Sequence, residues 1–154
     1  IRDRFTLVMP TFIQKYYSKI KISDNIHILG NVSLVEFNKL LQESSIVMLP
    51  LNTDAPAGLI VIFQAASQQK TVITTSTPVT KEYIDNKTGV LCENNIDQFR
   101  KEIEYHLQHP DIAKAKGKAL YNKLRSECSK ELYTSKLYNI LLHNENRIGH
   151  TCIL

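Results

Sequence analysis

The sequence predicts one α/β domain with parallel strands, on three observations. Short β-branched or aliphatic runs alternate with helical patterns from residue 5 to residue 108. Two further helical patterns follow with no strand between them. The chain of 154 residues, 43% hydrophobic and 22% charged, is long enough to bury a core and ordinary enough for a folded globular domain. Strict β-α alternation implies parallel strands joined by crossover helices that cover both sheet faces, a Rossmann-like arrangement.

The elements follow in order. "FTLVMP" reads as a strand and "TFIQKYYSKIKIS" as the helix after it. "NIHILG" is the second strand, and in "SLVEFNKLLQES" Ser33 with Glu36 forms a capping box ahead of the apolar stripe Phe37, Leu40 and Leu41. "SIVMLPL" and "GLIVIFQAASQQ" form the third pair, "KTVITTS" and "VTKEYIDNK" the fourth. In the fifth, "TGVLCE" precedes "NIDQFRKEIEYHLQ", where Asn95 caps, Ile96, Phe99, Ile103 and Leu107 make the stripe, and Pro110 marks the end. "PDIAKAKGKALYNKLRSE" and "SKELYTSKLYNILLHNE" are two closing helices broken near Cys128 and Ser129, with Gly117 lowering the propensity of the first. The ending "NRIGHTCIL" lacks periodicity, so residues 144–154 are expected to be a disordered tail after a domain over 1–143.

Composition excludes several classes. No apolar run reaches the roughly 18 residues a membrane span needs, and the first residues lack a signal-peptide pattern, so a cytoplasmic setting is expected. Cys92, Cys128 and Cys152 show no metal-ligand spacing and read as buried or free thiols. "TCIL" has its Cys third from the end, one short of a prenylation box. The net charge of +4 gathers in "KAKGKALYNKLR", where Lys114, Lys118 and Arg125 share a side while Lys116 and Lys123 spread the charge around the cylinder. That reads as a solvated helix face, and without interleaved aromatics no nucleic-acid partner is expected. The five histidines offer no HExxH, and neither GxSxG nor a Walker A sequence occurs, so no metal is expected.

Parallel α/β sheets bind ligands at the carboxyl ends of their strands. The loops to watch are therefore "GNVS" and "NTDAPAG". Ala57 and Gly58 put no bulk before the first turn of the following helix, so the amides of Gly58, Leu59 and Ile60 are open to a phosphate or a sugar hydroxyl. Close packing around a turn set by Pro56 explains the same small residues. Gln64 stands amid Leu59, Ile60, Val61, Ile62, Phe63, Ala65 and Ala66, a helix apolar on every side and so expected to be covered all round. Its buried amide then needs a partner in protein, water or ligand. Thr74, Thr75, Ser76 and Thr77 end a strand and offer hydroxyls to the same edge, or simply make a polar turn.

Taken together, "NIHILGNVSLVEFNKLLQESSIVMLPL", "GLIVIFQAASQQKTVITTSTPVTKEYIDNKTGVL" and "SECSKELYTSKLYNIL" resemble the carboxyl-terminal, donor-binding domain of retaining, glycogen-synthase-like (group 1) GT-B glycosyltransferases over about residues 22–142. The family motif runs from a Glu through a Gly-Leu-Val-like turn to a second Glu followed by Ala. "GLIV" resembles the turn, and Gln64-Ala65 stands at the second Glu-Ala. The resemblance implies that Gln64 holds nucleotide ribose hydroxyls as a neutral amide and that the backbone of Gly58 to Ile60 meets the diphosphate. Pro56 occupies the place of the first Glu, with Asp54 the nearest acid to meet the transferred sugar. It also places the backbone of Asn31 and Val32 near the nucleobase, although a strand end and helix cap explain that loop equally.

The implied reaction moves a hexosyl group from a UDP- or GDP-type sugar, with no cofactor, to an acceptor hydroxyl in glycan or surface-polysaccharide synthesis. The acceptor, a glycan or lipid-linked intermediate, would be held by an amino-terminal domain that this chain lacks, half of the GT-B fold being present. The isolated chain is then expected to be inactive, and the parent enzyme to work in the cytoplasm, in peripheral association with the inner face of a membrane. The alternative is a catalytically silent α/β module binding a nucleotide or a protein.

Overall fold

In the computed structural model, residues 4–17, 19 and 21–145 are described, with backbone alone for 143–145. The elements are β1 (Phe5–Met9), α1 (Thr11–Tyr17), β2 (Ile26–Gly30), α2 (Leu34–Glu43), β3 (Ile46–Leu49) and α3 (Leu59–Ser67). After them come β4 (Thr71–Thr75), α4 (Pro78–Tyr83), β5 (Val90–Cys92), α5 (Ile96–Gln108), α6 (Pro110–Glu127) and α7 (Lys130–Glu145). All twelve occur where periodicity and punctuation put them. The first helix is shorter than the pattern suggested: α1 ends at Tyr17, and Ile26 donates to the Ser23 carbonyl at 3.0 Å in the turn into β2. At the other end α7 continues to Glu145, so residues 144 and 145 are helix rather than tail; the rest of the expected tail, 146–154, and Cys152 with it, lies outside the described residues.

Every ladder is parallel. Hydrogen bonding divides the strands into two sheets, β1 with β2 and β3 with β4 and β5. The central β4 is buried along its whole length, and its side chains alternate between two layers as a strand's period of two requires. Val72 enters a cluster with Leu41 of α2, Ile62, Ala65 and Ala66 of α3, and Leu120 and Leu124 of α6. Ile73 points the opposite way, to Val90, Cys92 and the α5 residues Phe99 and Ile103. Helices thus cover both faces, and Phe5 of β1 and Ile46 of β3 meet on the second cluster.

Two long-range contacts set how closely the helices approach. A Cβ at Gly117 would overlap the Gln69 carbonyl and come within 2.8 Å of the Lys70 carbonyl carbon, so α6 rests directly on the turn between α3 and β4. Gln69 itself is left-handed, with φ 53°. The lysines of α6 are not the uniformly solvated set their spacing suggested. Lys116 donates to the carbonyls of Asn86 and, at 3.0 Å, Gly89, while Lys123 reaches the Asp85 carboxylate at 3.0 Å. Both tie α6 to the turn before β5, whereas Lys114, Lys118 and Arg125 do face solvent. That Lys123 bond, first among several, holds the Asp85 carboxyl down at about 2. Burial lowers the Lys116 ammonium from its ordinary value.

Candidate functional site

Parallel ladders bring five turns to one edge: Pro10–Thr11 after β1, Gly30–Ser33 after β2, residues 50–58 after β3, Ser76–Thr77 after β4 and Glu93–Asn95 after β5. A helix begins at each, and the first amides of a helix have no partner within it. Four of these helix starts are closed by side chains of the chain itself. The Thr11 amide donates to Asn31 Oδ1 at 3.1 Å, Ser33 accepts from Glu36 in a complete capping box, Thr77 accepts from Thr80, and Asn95 accepts from Asp97 and Gln98. The bonds from Ser33 to Glu36 also hold that carboxyl below its ordinary value.

The start of α3 is different. Its cap is Gly58, left-handed at φ 74°, ψ −3°, with no side-chain capping bond. A side chain here would be strained by that φ, and its Cβ would fall 2.7 Å from Leu49 Cδ2. The glycine therefore does two things: it turns the chain into α3 and lets the turn lie on Leu49 and Leu51. The first-turn amides of Leu59, Ile60 and Val61 are left without a capping side chain.

The loop is pinned from behind. Leu51 donates to Thr75 Oγ1 at 2.8 Å, Thr74 Oγ1 donates to the Leu49 carbonyl at 2.8 Å, and Asn94 donates to Asn52 Oδ1 at 3.2 Å. The threonine hydroxyls are thus engaged by the fold: Thr74, Thr75 and Thr77 are buried, and Thr80 Oγ1 donates to the Thr75 carbonyl at 2.7 Å.

Gln64 departs from expectation. It is half-buried, not buried, and its side chain has no hydrogen bond among the described residues. The reason is that α3 is not covered all round: Ile62, Ala65 and Ala66 are in the core, but Ile60 is 75% exposed and Phe63, partly exposed, meets Tyr83 edge to face with ring centroids 5.5 Å apart. Gln64 lies one turn below Ile60 on the same stripe, so its amide faces the open flank of α3. Asp54 is exposed and makes no hydrogen bond among the described residues. Asn31 is left-handed at φ 49°, its amide bonded to the Met9 carbonyl at 3.1 Å and its side chain spent on α1, while Val32 is half-buried. Gly58, Leu59 and Ile60 are adjacent at the start of α3, with Leu59 packed against the core, and Gln64 follows one turn beyond Ile60; no hydrogen bond among the described residues links them to Asn31, Val32 or Asp54.

Charge at this edge was missed in the sequence reading. Residues 10–13, 31–36, 50–61, 75–79 and 93–97 contain Glu36, Asp54, Glu93 and Asp97 but no Lys or Arg, in a chain of net charge +4. A concavity of about 400 Å³ between α1 and β2, lined by Thr11, Gln14, Lys15, Tyr17, Ile22 and Ile28, includes none of the expected site residues. Among the described residues no group of His, Cys, Asp and Glu could hold a metal ion, and no helix is long and apolar enough to cross a membrane.

Parallel ladders, helices on both faces and turns gathered at one edge define a Rossmann-like α/β domain of the kind that makes up half of a GT-B glycosyltransferase. The model of the family described as glycosyl transferases group 1 matches residues 9–123, and the chain belongs to that family. Solved structures agree on the fold. The crystal structure of TarM matches with a TM-score of 0.70 at 20% identity, over 88% of this chain and 28% of that one. The crystal structure of a glycosyltransferase from Rickettsia africae ESF-5 matches with a TM-score of 0.70 at 22% identity, over 93% of this chain and 40% of that one. This chain therefore spans well under half the length of either. No curated protein matches the chain.

Proposed function

We propose that residues 1–143 form the carboxyl-terminal, donor-binding domain of a retaining GT-B enzyme that moves a hexosyl group from a UDP- or GDP-type sugar to an acceptor hydroxyl. The acceptor is a glycan or lipid-linked intermediate of surface-polysaccharide synthesis, held by an amino-terminal domain outside this chain, and the enzyme works in the cytoplasm at the inner face of a membrane. One observation carries the reading: at the carboxyl ends of the strands, α3 alone among the five helix starts is left without a capping side chain. Anions settle at such a start, which offers N–H donors and roughly half a positive charge.

In this reading the amides of Leu59, Ile60 and Val61 donate to diphosphate oxygens and offset the charge that grows on the leaving phosphate. Gln64 lies about 6 Å further along the helix axis than Ile60, on the same stripe, so a nucleoside running down that flank meets its free amide. Asp54 approaches the sugar. No cation of the edge turns neutralises the diphosphate, so the isolated chain binds donors weakly and is inactive.

That absence of Lys and Arg also favours a second reading, a catalytically silent module that binds a nucleotide or a protein. A transfer assay separates the two. The complete polypeptide, given UDP- or GDP-hexose and a lipid-linked acceptor, is expected to release nucleoside diphosphate and form a product of retained anomeric configuration. Gln64→Ala is expected to raise the donor KM about tenfold, as loss of roughly one hydrogen bond requires. Donor binding without transfer would establish the silent module.

A further inference from the structure

We propose that Thr75 is a positioning residue for the start of α3: its hydroxyl fixes Leu51, Leu51 seats Gly58, and Gly58 aims the uncapped amides of Leu59, Ile60 and Val61. The geometry stands on contacts within the chain; its consequence for nucleotides rests on the donor-binding function proposed for this helix start. β4 is buried along its whole length, where a parallel strand ordinarily carries Val and Ile, yet Thr71, Thr74 and Thr75 make up most of it. Each hydroxyl has its own backbone partner. Thr71 donates to the Ala113 carbonyl and so holds α6. Thr74 Oγ1 donates to the Leu49 carbonyl at 2.8 Å, and Thr75 Oγ1 accepts from the Leu51 amide at 2.8 Å.

Pro50 is the reason hydroxyls are needed there. The ladder between β3 and β4 ends at the pair Leu49 and Thr74, and the next residue, Pro50, has no N–H with which to extend it. Thr74 takes the carbonyl before the proline and Thr75 the amide after it, so side chains carry the pairing past the point where the backbone stops. Further along the loop, Asn94 donates to Asn52 at 3.2 Å, while Ala55 to Thr53 and Ala57 to Ala55 are local bonds. Gly58 then lies against the two leucines: a Cβ on it would come within 2.7 Å of Leu49 Cδ2 and 3.4 Å of Leu51 Cδ2. The residues on which α3 starts are therefore those whose backbones Thr74 and Thr75 hold. Leu49 is also held by the ladder, whereas Leu51 lies beyond it, so Thr75 is the residue whose loss frees the seat. Thr75 is itself immobilised. It is 5% exposed, its carbonyl accepts from Thr80 Oγ1 at 2.7 Å, and the following amide, Ser76, donates to the Cys92 carbonyl at 2.7 Å. Donors that work by their aim lose much of their effect when displaced by about 1 Å.

Rescue by a hydroxyl separates positioning from packing. Thr75→Val keeps the shape and deletes the acceptor, Thr75→Ser keeps the acceptor and loses a methyl, and Thr71→Val deletes an equally buried hydroxyl that bonds to α6 instead. The 154-residue chain and each variant are titrated with UDP and, separately, with GDP, and followed by amide NMR. Thr75→Val is expected to raise the Kd of the nucleotide that binds by about fivefold or more and to move the amide resonances of Gly58, Leu59 and Ile60. Thr75→Ser is expected to stay within about twofold of the parent, and Thr71→Val to lower Tm without changing Kd. A Thr75→Val chain that binds as the parent does, a Thr75→Ser chain as weak as Thr75→Val, or a Thr71→Val chain weakened as much, overturns the proposal. If the parent binds neither nucleotide, the donor function fails and the resonances decide the positioning alone: amides of Gly58, Leu59 and Ile60 unmoved in Thr75→Val overturn it, and amides moved there but restored in Thr75→Ser uphold it. Hydrogen exchange on the unmutated chain tests the same bond without a variant. The Leu51 amide, beyond the end of the ladder, is expected to exchange about 100-fold or more slower than an open amide, and an unprotected Leu51 overturns the proposal.

Discussion

Replacing Gly117 by Ala reverses the usual sign of a helix substitution. Gly to Ala inside a helix normally stabilises by about 1 kcal/mol through propensity. Here the added methyl would overlap the Gln69 carbonyl and crowd the Lys70 carbonyl carbon, both backbone atoms of a tight turn whose Gln69 already sits at φ 53°. Neither can rotate away as a side chain would, so α6 must lift, loosening Leu120 and Leu124 from Ile62, Ala66 and Val72. Overpacking of this kind costs about 3 kcal/mol. Against the propensity gain, a net loss of about 2 kcal/mol remains, which lowers Tm by about 4–8 °C for a domain of this size. Thermal unfolding followed by circular dichroism measures it, with exposed Lys118→Ala as a control expected to change stability by less than about 0.5 kcal/mol. A Gly117→Ala chain as stable as the parent, or more so, would show that α6 does not rest on that turn.

Other expectations follow from the same contacts. The Asp85 carboxyl is lowered from 3.8 to about 2, so its contribution is complete above 3.8 and is lost as pH falls from there toward 2. Because that side chain is half exposed, the amount is on the order of 0.5 kcal/mol, and Lys123→Met should flatten this part of an acid titration of stability. Burial, with a smaller contribution from Glu102, pushes the Cys92 thiol up to about 11, so in a Cys152→Ser chain a thiol reagent should label Cys128 at once and Cys92 only on unfolding. The Lys70 ammonium donates to the carbonyls of Gln42 at 2.7 Å and Ser44 at 2.8 Å, closing the end of α2; Lys70→Ala should cost about 1–2 kcal/mol in urea unfolding.

Helix and strand positions were legible because local chemistry decides them. Ser33 with Glu36, Asn95 and Pro110 punctuate the chain as written, and Phe99, Ile103 and Leu107 of the α5 stripe do pack on the core, whereas Ile96, counted in that stripe, is 79% exposed. What depends on packing across the fold was not legible. The apolarity around Gln64 suggested a helix covered all round, but whether a neighbour covers Ile60 and Phe63 is settled in space. The same holds for Lys116 and Lys123, whose carbonyl and carboxylate partners lie in the turn before β5. At the candidate site, the small residues before α3 and the placing of the helix start were readable. The left-handed turn of Gly58, its seat on Leu49, and the closure of α1 by Asn31 and of α4 by Thr77 were not. The division of the strands into two ladders is a property of pairing, which no local pattern encodes.

The central claim is that the uncapped start of α3 holds the donor's diphosphate while Gln64 meets its nucleoside. Amide NMR of the 154-residue chain, titrated separately with UDP, GDP and ADP, tests it most directly. The account predicts base-selective binding with Kd about 1 mM, near −4 kcal/mol, with shifts concentrated at Gly58, Leu59 and Ile60 and weakened in Gln64→Ala. Absence of shifts at those amides with all three nucleotides, in the short chain and in the complete polypeptide alike, would contradict it.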